Sequence, residues 1–129
     1  MKVFFSLIAL LYSAVVWGND GDVFTAKTVE DVELQFKVIS EADKTCQVGV
    51  EGGSGGWLAA ATITIPSIAN GYTVIRVASF AFASYASTIE IPSSVTDIEE
   101  DAFSNNSYLR HVVLHEGLKR IGRWAFSTC

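Results

Sequence analysis

The dipeptide Ala-Phe recurs at Ala81-Phe82, Ala102-Phe103 and Ala125-Phe126, spaced by 21 and 23 residues, and its neighbours recur with it. Four residues before each Ala stands Val77, Ile98 or Ile121, and three before that stands Val74, Val95 or Leu118. Further upstream lies an apolar-x-apolar triplet: Ile63-Thr64-Ile65, Ile89-Glu90-Ile91 and Val112-Val113-Leu114. Repetition at this period restricts the chain to stacked units, because one strand, one turn and one short helical stretch use up about that many residues. Alternation in the triplet predicts a strand with two inward side chains. Pro66 and Pro92, which lack an N–H, end the first two strands, and His115 stands at the third such place. Phe fills the interior and Ala lets the backbone turn tightly around it. The expected class is α/β: a β-rich solenoid of about three coils, each burying its face against the next.

Departures from the period fall where loops belong. Ile65 to Val74 is nine residues against four for Ile91 to Val95, and the excess contains the turn dipeptide Asn70-Gly71. Residues 19–61 lie outside the repeat. There Val32, Leu34, Phe36 and Val38 alternate with Glu33, Gln35 and Lys37, which predicts a strand with one dry face. Phe24 to Val29 can pair with it across Glu30-Asp31, and Cys46, Val48 and Val50 alternate again. The expected organisation is a signal peptide over 1–18, a small N-terminal β cap over 19–61, and repeats over 62–129.

The run Ile91-Pro92-Ser93-Ser94-Val95-Thr96-Asp97-Ile98-Glu99-Glu100-Asp101-Ala102-Phe103 resembles the BspA-type leucine-rich repeats of bacterial surface and secreted proteins. The resemblance covers about Ile63 to Cys129. Family repeats often carry Gly after the Ile and Cys three residues after the Phe; Gly122 and Cys129 match, whereas Ala78, Glu99, Tyr85 and Asn106 do not. The resemblance implies a leucine-rich-repeat solenoid and a role in adhesion and binding of host surface proteins.

The N-terminus reads as an export signal. Lys2 precedes an apolar run from Val3 to Val16, and cleavage is expected between Gly18 and Asn19. Removing that segment loses one base and no acid, so the net charge of −5 becomes −6. An acidic exported chain is a poor partner for nucleic acid, and the apolar run is short for a membrane span. Asn19 to Pro66 carries eight acids and three bases, and Ser67 to Cys129 six acids and five bases, among them Lys119, Arg120 and Arg123. Cys46 and Cys129 both sit at half-buried positions of their patterns, where a free thiol packs as a small apolar group.

Gly52-Gly53-Ser54-Gly55-Gly56 matches G-x-S-x-G, with Asp97 and His111 downstream in hydrolase order. Its surroundings are those of a flexible link, and Asp97 and His111 are already used by coils. Neither a catalytic centre, nor a metal site, nor a cofactor is therefore expected. Glu99-Glu100-Asp101 reads as a solvated turn whose acids precede a short helix. Asn105-Asn106-Ser107 is a glycosylation sequon.

What remains is the strand surface. Aligned strands place their outward residues in one stripe: Thr62 and Thr64, then Thr88 and Glu90, then Arg110, His111 and Val113. A protein or glycan ligand on this stripe is the expected function. The alternative is a truncated structural remnant of a larger repeat protein without binding of its own. Leu118, Ile121, Trp124 and Phe126 lack a polar cover before the sequence stops at Cys129, so self-association through this end, or marginal stability, is expected.

Overall fold

Alternation of dry and wet residues sets the first elements. In the computed structural model, which describes residues 18–51, 60–82 and 86–129, β1 (Val23–Lys27), β2 (Glu33–Ser40) and β3 (Thr45–Val48) form an antiparallel meander. The leader before Gly18 and the Gly52–Gly56 motif lie outside the described residues. Leu34, Phe36 and Val38 on β2 are buried, and Phe24 of β1 stacks on Phe36 with ring centroids 5.4 Å apart. The β1–β2 turn is held by Thr28, whose N–H donates to the Val32 carbonyl and whose hydroxyl accepts from the N–H groups of Glu30 and Val32.

Two parallel ladders follow, and each sequence repeat supplies one strand to each. β4 (Thr62–Thr64), β7 (Thr88–Glu90) and β9 (His111–Val113) form a three-stranded sheet. β6 (Tyr72–Val77), β8 (Asp97–Ile98) and β10 (Arg120–Ile121) extend the other sheet, with β3 pairing parallel to β6. Ile63 pairs with Ile89 and Ile89 with Val112; Val77 pairs with Ile98 and Ile98 with Ile121. Ile63, Ile89, Val77 and Ile98 are fully buried in one core with Val112 packed against it, whereas Ile121 on the last strand is exposed. Between the ladders Phe82, Phe103 and Phe126 stack, with centroids 5.0 and 5.1 Å apart and planes within 16° and 3°.

The long first loop is a hairpin. β5 (Ile68–Ala69) pairs antiparallel with β6 across Asn70-Gly71, whose φ values of 50° and 87° are those a tight hairpin turn requires. The turn was legible as a dipeptide, but a two-residue strand has no pattern to read.

The expected helical stretch is a correction: no helix occurs among the described residues, so the architecture there is all β. The reason is local. Phe80, Asp101 and Trp124, each preceding an Ala-Phe, have φ of 54°, 57° and 57°, and Asn105 and Thr128 have 63° and 58°. A left-handed residue thus interrupts every right-handed run before a helix can propagate. Glu99-Glu100-Asp101 accordingly leads into turns, and Asp97–Ile98 forms a second strand in a repeat for which one strand was expected.

Candidate binding face

Parallel pairing in register places the outward residues of β4, β7 and β9 in two rows. Thr62 pairs with Thr88 and Thr88 with His111; Thr64 pairs with Glu90 and Glu90 with Val113. Six of the seven stripe residues therefore share one sheet face, while Arg110 stands just before β9 and is exposed beside it. Ile63 and Ile89 between the rows are fully buried, which fixes the side on which the rows stand. The rows grade from hydroxyls on β4 to imidazole and an apolar Val113 on β9.

At the carboxyl ends of these strands the face runs into an open groove of about 340 Å³. Thr64 and Glu90, Pro66 and Pro92, and Ser67 and Ser93 line it, the members of each pair one repeat apart, and His115 completes the lining. His115 Nε2 lies 3.5 Å from Glu90 Oε2. Hydroxyls, one carboxylate, an imidazole and two proline rings can bind a polar ligand.

Glu30 also reaches this face. Its carboxylate accepts from the Thr64 N–H at 2.9 Å and from the Thr64 hydroxyl at 2.6 Å. Burial works against its ionisation most strongly, yet the bonds from Thr64, Thr28 and its own backbone together hold the carboxyl below its ordinary range. Glu30 thereby satisfies the outer edge of β4, which a sheet otherwise leaves open to further pairing. Sequence reasoning missed it because 34 residues separate the partners and a turn glutamate carries no pattern.

The constellations set aside earlier are engaged elsewhere. Asp97 accepts from the Thr96 hydroxyl at 2.8 Å and from Arg120 at 3.1 Å, and these bonds hold it below the usual carboxylate range. It sits on β8, whereas His111 sits on β9 of the other sheet, and Ser54 lies outside the described residues. Glu99 joins Arg120 at 2.5 Å and faces the Arg76 Nε at 3.5 Å; the latter contact leaves that buried nitrogen without a hydrogen bond. Cys46 is fully buried, deeper than the half-buried position expected, and burial pushes its thiol up to about 12, so it packs as an apolar group. Cys129, also free, is exposed. Among the described residues no group of three or more His, Cys, Asp or Glu could hold a metal ion, and no helix is long and apolar enough to cross a membrane.

Strands repeating in two parallel ladders with an aromatic stack between them define a repeat protein. The sequence matches the family model for the BspA type leucine rich repeat region over residues 58–129, and the chain belongs to that family. No curated protein matches the sequence. The fold is similar to the crystal structure of the pneumococcal vaccine antigen PcpA, with a TM-score of 0.60 and 20% identity over 86% of this chain. The match spans 31% of that antigen's chain.

Proposed function

We propose that this chain is a secreted or cell-surface repeat protein that binds a protein or glycan through the outward face of β4, β7 and β9, without catalysis. In this reading the two ladders are the walls of a three-coil solenoid and β1 to β3 are its N-terminal cap. The observation that carries it is the register: Thr62, Thr88 and His111 in one row, and Thr64, Glu90 and Val113 in the next, stand on a fixed backbone beside a groove. Membership of a family of surface repeats supports the reading, as does a fold shared with a vaccine antigen. Fold alone does not set function, so the face must be tested.

The test is binding of the chain from Asn19 onward to immobilised host extracellular-matrix proteins and glycans. Glu90→Ala/His111→Ala should weaken the interaction at least tenfold, whereas Glu33→Gln on β2 should not. Equal binding by both variants removes the stripe from the reading. Binding to no target favours the structural remnant. Export is checked by the N-terminus of protein recovered from the native host, expected at Asn19. The exposed Leu114 and Ile121 mark where a further β layer, a second copy of the chain included, would stack.

A further inference from the structure

Three positions that precede the Ala-Phe steps form a column away from the strand face. Phe80, Asp101 and Trp124 are equivalent in sequence, and their φ values of 54°, 57° and 57° make them equivalent in backbone as well. Stacking joins them: the Asp101 N–H donates to the Arg123 carbonyl, and the N–H groups of Phe82 and Phe103 donate to the carbonyls of Ala102 and Ala125. Asp suits this left-handed conformation, because its short polar side chain tolerates it; a bulky aromatic residue rarely adopts it. Phe80 and Trp124 nevertheless occupy it, and both are largely exposed, at 56% and 61%. Neither ring gains the burial that ordinarily justifies an aromatic residue. Strain kept at an exposed position is a mark of use at the surface.

We propose that Phe80, Asp101 and Trp124 form a second binding ridge, whose ligand is an extended, uncharged β-1,4-linked glycan. None of these residues lies on β4, β7 or β9, so the ridge goes beyond the strand face. The argument for the occupant is spacing and chemistry. Interior rings advance by 5.0 and 5.1 Å per repeat, and Phe80 and Trp124, two repeats apart in the same backbone position, are separated by two such steps of the backbone. One step matches the advance of one sugar in an extended chain. Alternate sugars of a β-1,4-linked chain present the same face, so two rings two steps apart meet the same apolar C–H face. Asp101 then stands level with the intervening sugar, whose hydroxyls its carboxylate can accept. Arg123 lies over the Trp124 ring, 5.4 Å from its centre, and the Trp124 side chain remains largely exposed. The flanking column is Ser79, Glu100 and Arg123, a polar surround that suits hydroxyls better than the water-excluding centre of a protein interface. The acidic balance of the chain disfavours an acidic polysaccharide.

The experiment is calorimetric titration of the chain from Asn19 onward with cellohexaose, chitohexaose and, as the mismatched helical chain, maltohexaose. Saturable binding of a β-1,4 hexamer is expected, at least tenfold tighter than maltohexaose. Phe80→Asp and Trp124→Asp should each weaken it at least fivefold while thermal unfolding shows both variants folded. Lack of binding by either β-1,4 hexamer overturns the proposal, as does unchanged affinity in the two folded variants or equal affinity for maltohexaose. Loss of protein binding in these variants without any hexasaccharide binding assigns the ridge to a protein and also overturns it. The strand face is tested with other variants and another readout, so failure of one reading leaves the other measurable.

Discussion

Asn106 Nδ2 reaches back one repeat to donate to the Phe82 carbonyl oxygen at 2.9 Å, and Cys129 Sγ repeats the contact one repeat later, 3.3 Å from the Phe103 carbonyl. Asn106 is fully buried and also donates to Phe103 O at 2.7 Å, so a single amide ties two turns together. Asn106→Ala removes the amide donor from the buried Phe82 carbonyl and leaves the Phe103 carbonyl only the weaker Cys129 thiol, and should cost roughly 1–3 kcal/mol. Asn106→Cys, which copies the residue one repeat later, should cost less. Urea unfolding of the two variants measures the difference, and equal losses would show that the thiol does not replace the amide.

Phe103 is fully buried with a stacked ring on either side, while Phe126 has Phe103 on one side and is half-buried. Phe103→Ala should lose about 3–5 kcal/mol, which consumes much of the stability of a small domain. Phe126→Ala should lose less, because part of its ring already meets water. Denaturant midpoints decide it; equal losses contradict the stack.

Much of this was legible in advance, and the reason is periodic burial. Ile63 and Ile89 on one wall, Val77 and Ile98 on the other, and the Phe column between them face a common interior, so the pattern that a chain must repeat to stack is visible as letters. The stripe was legible for the same reason, since an inward residue fixes its outward neighbours. Contacts made once do not repeat and leave no such trace. Glu30 on Thr64 and the β3–β6 pairing that joins the meander to the repeats depend on how two unlike segments meet. The left-handed residues were missed because Phe80 and Trp124 are types that argue against that conformation.

Acid should loosen the contact between the meander and β4. The folded Glu30 carboxyl is held below its ordinary value of 4.5, so the unfolded chain takes up the proton first as pH falls. Its contribution is whole above pH 4.5 and is lost as pH drops through the lower folded value. Glu30→Gln should cost roughly 1 kcal/mol at neutral pH, the bonds being only partly screened from water. The gap between variant and parent should then close in acid. A gap independent of pH between 7 and 3 would mean that the carboxylate charge contributes nothing.

Phe80 and Trp124 should be worse for the fold than the residue their equivalent position already holds. Asp101 occupies the same left-handed conformation at a φ of 57°, and exchange of an exposed aromatic residue for Asp relieves strain while sacrificing little burial. Phe80→Asp and Trp124→Asp should therefore stabilise the chain by about 0.5–1 kcal/mol each, allowing for the cation contact that Trp124 loses with Arg123. The reverse change, Asp101→Phe, should destabilise by a similar amount. Thermal and urea unfolding check all three at neutral pH. A loss of stability in both aromatic variants would mean that the rings support the fold, and the exposed column would then have a structural explanation instead of a ligand.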